Sequence, residues 1–258
     1  MDAIRRILAV VGWHLHGYRR VWRGSVTVSF VNPILFLLSI GVLLGALVDQ
    51  GNPDLGGLSY LEFVAPALIA TTAMQTAASV TTFPVKAGLK WLRTYHAVVS
   101  TPVRVSELVA GVLAWAGVRV VLAASVFTLI AAAGGAFESP LAVLAPFAAL
   151  LCGLAFAGLL AFICARVESD EWLAAIYRFG LVPLFLFSGT FFPIAQLPQW
   201  LQPLAWVTPL WHGVALCRDL CTGEIEPLPT AAHLTYLITV TVIGALLAVR
   251  AYARTLQR

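Results

Sequence analysis

Leu141-Ala-Val-Leu-Ala-Pro-Phe-Ala-Ala-Leu-Leu-Cys-Gly-Leu-Ala-Phe-Ala-Gly-Leu-Leu-Ala-Phe-Ile-Cys-Ala165 runs without a charged side chain and closes at Arg166. A hydrocarbon core about 30 Å thick needs roughly 20 apolar helical residues, and this stretch supplies them. Backbone polar groups find no water in such a core, so a helix, which satisfies them internally, is the expected form. A β-barrel would show short segments of alternating polarity, and these are absent.

Similar runs lie on either side. They give spans at 26–48, 60–85, 105–134, 140–165 and 228–250, with Glu107 near the start of the third and Arg119 near its middle. The stretch from Phe179 to Cys217 is uncharged but far too long for one crossing, and Pro183, Pro193, Pro198, Pro203 and Pro209 interrupt it. These features predict a further span at 172–190, a break at Ser188-Gly-Thr-Phe-Phe-Pro193, and short helices over 191–220 forming a re-entrant hairpin. Trp200, Trp206 and Trp211 suit the headgroup level there. Two more full spans, eight in all, is the alternative.

Composition supports the membrane. The 258 residues are 60% hydrophobic and only 11% charged, with a mean hydropathy of +0.90, against about 25% charged in a soluble domain. The net charge of +4 could suggest nucleic acid, but its placement argues for a bilayer. Arg5, Arg6, Arg19, Arg20 and Arg23 precede the first span, and Lys86, Lys90, Arg93 and Arg104 separate the second and third. Arg166 follows the fourth, and Arg250, Arg254 and Arg258 follow the last. The other side carries Asp49, Asp54, Glu62, Glu138, Asp219, Glu224 and Glu226 against Arg218 alone. This is the positive-inside pattern, and it predicts an inner-membrane protein with both termini cytoplasmic. A cleaved signal peptide is not expected, since no short apolar segment is followed by a small-residue cleavage site.

Residues 1–25 form no span. Ile4, Ile7, Leu8, Val11, Leu15, Tyr18 and Trp22 recur at three- and four-residue steps, with arginines elsewhere, as in an amphipathic interfacial helix. It is read either as a simple anchor or as a lever touching a cytoplasmic partner. Between the second and third spans, residues 86–104 contain Lys86-Ala-Gly-Leu-Lys-Trp-Leu-Arg-Thr-Tyr-His96. Pro84 and Pro102 bracket it. A solvated basic loop would need no large rings, whereas aromatics beside arginine are typical interface anchors. Glu168, Asp170 and Glu171 form either a solvated turn or a second partner contact. Cys217 and Cys221, four apart, are read as structural thiols, with a metal site or disulfide as alternatives.

The chemistry is sparse. Arg119 is the one ionisable residue deep in a span, and such residues are functional candidates; a structural interhelical bond and a role in a substrate path both stay open. The histidines lack metal-ligand spacing. No GxxxxGK[ST] pattern occurs, so ATP is not bound by that route. No intramembrane carboxylate relay or acidic constellation suggests proton-driven transport or catalysis. An energy source would sit in another polypeptide.

The sequence also resembles the ABC-2 type permease family, most closely its nodulation protein J branch, over nearly its whole length. The resemblance is carried by Tyr18-Arg-Arg-Val-Trp22, Phe30-Val-Asn-Pro33, Ala73-Met-Gln-Thr-Ala77, Lys90-Trp-Leu-Arg-Thr-Tyr-His96 and Ser100-Thr-Pro102. It continues in Leu186-Phe-Ser-Gly-Thr-Phe-Phe-Pro193, Gln196-Leu-Pro198 and Pro209-Leu-Trp-His-Gly213. It implies an all-α membrane protein of the type V exporter fold, with six transmembrane helices, an N-terminal interfacial helix, a cytoplasmic coupling helix and an outer re-entrant hairpin, as one domain over 1–258. It implies ATPase contact for Lys90, Trp91, Arg93, Thr94 and Tyr95, and places Arg19, Arg20 and Trp22 on the interfacial helix. Candidates for the substrate path are Arg119, Phe191 and Phe192. The implied partners are two ATPase subunits holding ATP and Mg, with no cofactor or metal in this chain. A second permease copy or a related permease, and membrane lipids, complete the assembly, without nucleic acid. The implied cargo is amphipathic or lipid-like. A channel or scaffold working without ATP, and a membrane enzyme acting on lipids, are the alternatives.

Overall fold

A computed structural model describes residues 2–24, 31, 34–39, 45, 48 and 57–256. Most of the expected first span at 26–48 lies outside the described residues. Every regular element among the described residues is helical. Helix α1 covers Ala3–Tyr18, α2 Tyr60–Thr81 and α3 Phe83–Lys86, followed by a π-helical turn at Ala87–Trp91. Then come α4 (Thr94–Val99), α5 (Val105–Ala133), a 3-10 turn at Pro140–Leu144 and α6 (Ala145–Arg166). Helix α7 (Asp170–Ala175), a π-helical turn at Ile176–Leu181 and α8 (Val182–Phe187) form one continuous helical run. A 3-10 turn at Ile194–Gln196, α9 (Gln202–Trp206), α10 (Pro209–Thr222) and α11 (Pro227–Leu256) complete the chain. Among the described residues, four helical stretches are long and apolar enough to cross a membrane: Tyr60–Trp91, Val105–Ala133, Pro140–Arg166 and Pro227–Leu256.

Helix α6 sits at the centre, touching α2, α5, α10 and α11. Its buried face is built from small side chains, among them Ala149, Cys152, Gly153, Ala157, Gly158 and Ala161. Lipid tails are as apolar as leucine, so helices in a bilayer associate through close packing rather than through a drive out of water. Gly158 and Gly244 show how close. A Cβ on Gly158 would meet the backbone of Gly244 and Ala245 at 3.0 Å, and one on Gly244 would meet Gly158 and Leu159 equally closely. Helices α6 and α11 therefore cross backbone on backbone. Gly153 instead makes room for a side chain of α5, since a Cβ there would lie 2.8 Å from Val120 Cγ2.

Helix α2 begins with a reciprocal cap. Ser59 Oγ accepts from the Glu62 amide, and the Glu62 carboxylate accepts from the Ser59 amide at 2.8 Å, satisfying two donors that a helix start leaves open. Its other end departs from the expected stop at residue 85. The hydroxyls of Thr81 and Thr82 turn back to Ala77 O and Ala78 O, at 2.7 and 2.6 Å, and such back-bonding bends helices. The chain kinks at Thr82 and then stays helical to Trp91. Pro84 falls in the first turn of the restarted helix, where its missing N–H costs nothing. The expected coupling helix at 86–104 is consequently in two pieces, split at Leu92-Arg93.

Candidate functional site

The two pieces make a knuckle. Arg93 has φ 50, the one positive value outside glycine among the described residues. This left-handed turn costs a side-chain-bearing residue roughly 1–2 kcal/mol. Its carbonyl then accepts from His96 and Ala97 and starts α4. Trp91, Leu92 and Arg93 stand at the tip, all exposed, Leu92 at 72%. A large apolar side chain and an indole held out beside a guanidinium form a surface of the kind that protein interfaces use as anchors.

The knuckle is fastened from inside. Lys86 is 1% exposed; its ammonium donates to Glu168 O at 2.8 Å and pairs with Asp170 at 2.7 Å. Lys90, half-buried, donates to Val167 O at 3.2 Å. These two lysines tie the knuckle to the loop that feeds α7. Asp170 is thereby engaged within the chain. Tyr95 is buried, with its ring against Tyr252 at 5.9 Å and Trp13 at 6.0 Å. It joins α4 to α11 and α1, and it needs Gly88, where a Cβ would come within 2.7 Å of the ring. Thr94 is half-buried. The expected contact set thus divides: Trp91 and Arg93 face outward, whereas Tyr95 supports them from within.

A second arrangement joins α1 to α5. Arg6 donates to Glu107 from Nε at 2.7 Å and from Nη2 at 2.6 Å. Val10 fills a notch at Gly111, where a Cβ would meet it at 2.6 Å. His14 stacks on Trp115 with centroids 6.1 Å apart. The Arg119 guanidinium lies 4.1 Å over the Tyr18 ring. Each partner stands 101 positions after its mate, as the first pair does, and successive pairs are four residues apart, one helical turn. The two helices therefore run side by side in the same direction. Ile4, Leu8 and Leu15 of the expected apolar stripe remain exposed, and Val10 alone of α1 is fully buried. The protein-facing stripe is Arg6, Val10, His14 and Tyr18. Arg19, Arg20 and Trp22, beyond it, are exposed. Burial pushes the His14 imidazole down to about 4, so it is neutral near pH 7.

A third feature lies between the end of α8 and α10. The helix through α8 stops at Ser188, whose Oγ is 3.2 Å from Thr208 Oγ1. Gly189 follows with φ 78, a conformation glycine adopts without strain. Arg218 on α10 donates to Gly189 O at 3.1 Å and Phe63 O at 3.2 Å, with its guanidinium 4.0 Å over the Phe63 ring. One cation thus ties the break to the start of α2. Phe191, half-buried, meets Phe185 edge-on at 4.8 Å; Phe192 is also half-buried. Phe191 thus packs on Phe185, whereas the Arg119 guanidinium lies over Tyr18.

The packing roles of Lys86, Glu107, Gly88, Gly111 and Arg218 carry no motif in the sequence. Of these, only the four-residue spacing of Glu107, Gly111, Trp115 and Arg119 left a legible signal. All four cysteines are buried free thiols, so Cys217 and Cys221 form no disulfide. Among the described residues, no three histidine, cysteine or acidic side chains converge as metal ligands.

Known proteins match along about four fifths of the chain. The model of the ABC-2 type transporter family matches residues 7–220. "Nodulation protein J" of Rhizobium meliloti (strain 1021) is 30% identical over 207 residues, covering 80% of this chain and 78% of that protein. "Nodulation protein J" of Sinorhizobium fredii (strain NBRC 101917 / NGR234) is 30% identical over 225 residues, covering 83% and 84%. "Inner membrane transport permease YadH" of Escherichia coli (strain K12) is 24% identical over 203 residues, covering 78% and 77%.

Proposed function

The chain belongs to the ABC-2 type transporter family, and from that membership we propose that it is the membrane-spanning permease subunit of an exporter driven by a separate ATPase. That it is a membrane transport permease rests on the family match and on the four long apolar helices among the described residues. The finer reading has six spans, 26–48 and the helical run over 170–187 completing the four, with both termini cytoplasmic. The single observation that carries the ATPase partnership is the knuckle. Trp91, Leu92 and Arg93 are exposed at a tip whose base is locked by Lys86 and Tyr95. A rigid, aromatic and cationic projection transmits force; a solvated loop does not require that internal bracing.

In this mechanism two ATPase subunits bind ATP and Mg, and their closure pushes the knuckles of two permeases, whether identical or related chains. The push passes through Lys86 and Lys90 to the loop before α7, and through Tyr95 to α1 and α11. Cargo of amphipathic or lipid-like character leaves past the hairpin, with Arg119 on the inner part of the path and Phe191 and Phe192 near the exit. In this reading ATP is bound and hydrolysed by the partner subunits, and this chain supplies the path. To test the partnership, the tagged chain is purified from its native membrane and co-purifying proteins are identified. A P-loop ATPase in stoichiometric amount is the expected result. A complex that transports cargo without one would favour an ATP-independent channel and overturn the proposal.

A further inference from the structure

A cavity of about 690 Å³ opens between α1, the end of α2 with α3, and α5. Trp13, Tyr18 and Arg20 approach from α1 and the turn after it, Ser79 from α2, and Trp115 and Arg119 from α5. No carboxylate is among the described residues that line it. Tyr18 meets Trp115 edge-on at 5.6 Å, and Arg119 lies over Tyr18, so the register of α1 on α5 builds the wall. Such rings present an apolar body with a polar edge. A concave site lined by one sign of charge and low-dielectric walls concentrates the opposite charge. Val21, 62% exposed, and Trp13, 41% exposed, extend its apolar lining to the surface.

We propose that this cavity binds an amphipathic molecule with an anionic, phosphate-bearing headgroup. The headgroup meets Arg20 and Arg119, and the apolar part leaves past Tyr18 and the exposed Val21 into the lipid. The bilayer is the source, since basic pockets between membrane helices take anionic lipid headgroups. The inference rests on the placement of Arg119 in the path and names the ligand class at that end. Binding needs neither ATP nor the ATPase, so its failure is distinct from a failure of driven export.

The test uses the full chain in detergent and follows quenching of its tryptophans by brominated phosphatidylglycerol or brominated phosphatidylcholine. Phosphatidylglycerol is expected to quench at a concentration about tenfold lower, and Arg119→Gln to remove about that advantage. Arg20→Gln, at an exposed position that leaves the fold intact, is expected to weaken phosphatidylglycerol binding severalfold and leave phosphatidylcholine unchanged. Equal midpoints for the two lipids, or an Arg20→Gln protein that keeps the full preference, overturns the proposal. Displacement of the brominated phosphatidylglycerol by millimolar inorganic phosphate would make a free anion the occupant and overturn the lipid source. Persistence of the quench in phosphate supports it.

Discussion

Arg6 and Glu107 stand 101 positions apart and grip each other at two points, Nε to Oε2 and Nη2 to Oε1. Glu107 also accepts from the Arg104 amide at 2.9 Å, so one carboxylate both caps α5 and anchors α1. Two parallel bonds fix orientation as well as distance. Glu107→Ala is expected to lower thermal stability more than Arg6→Ala, since it removes the cap as well. The charge swap Arg6→Glu with Glu107→Arg should recover the α1 contact but not the cap. Melting of the three variants beside wild type checks this; equal losses for both single variants would show that the cap carries nothing.

Gly111 and Gly158 give steric predictions of different reach. A Cβ at Gly111 collides with Val10, so Gly111→Val should displace α1 and leave the rest of the bundle folded. A Cβ at Gly158 collides with α11 backbone, which cannot rotate away. Gly158→Val should therefore destabilise the whole bundle, by about 1–3 kcal/mol or more. Limited proteolysis separates the two: early cleavage near the N-terminus alone in the first, general cleavage in the second.

His14 predicts a pH dependence. Burial holds its folded-state value at about 4, below the ordinary 6.5. The unfolded chain then binds the proton more readily, so stability is full above 6.5 and falls as pH drops from 6.5 towards 4. His14→Phe keeps a ring against Trp115 and removes the titration. Its melting temperature should change less than that of wild type over this window. Parallel curves would contradict the assignment.

Lys86 is buried against Asp170 and Glu168 O. Lys86→Met preserves the apolar stem and breaks both polar ties. It should assemble with the ATPase yet transport less per ATP hydrolysed. Asp170→Asn removes the ion pair but leaves the bond to Glu168 O, so its loss should be smaller. Transport and ATP hydrolysis measured together in vesicles check the ranking.

Much of the architecture was legible in the sequence because a bilayer imposes long apolar runs. The stretches at 60–85, 105–134, 140–165 and 228–250 each fall on a long helix. What escaped were features set by tertiary contact. Pro84 looked like a helix stop, but the kink sits at Thr82 and the proline falls where a helix tolerates it. Tyr95 looked like a surface anchor because aromatics at a basic loop favour interfaces; burial against Tyr252 and Gly88 is invisible to spacing. Arg218 read as one outer charge among many acids, and nothing in its neighbours announced that it would reach Gly189 O and Phe63 O. The apolar residues of α1 mark one stripe, whereas the protein-facing side is led by Arg6 and His14. A helix between lipid and protein has two buried faces, and hydropathy marks only one.

The central claim is that the Trp91–Leu92–Arg93 knuckle passes the work of a separate ATPase into this permease. The most direct measurement is the amount of cargo moved per ATP hydrolysed, in vesicles containing the co-purified complex, with Arg93→Glu in place of the native chain. A reversed charge at an interface costs several kcal/mol, so coupled transport should fall by at least about tenfold while the permease stays folded. Unchanged assembly and an unchanged ratio would contradict the account.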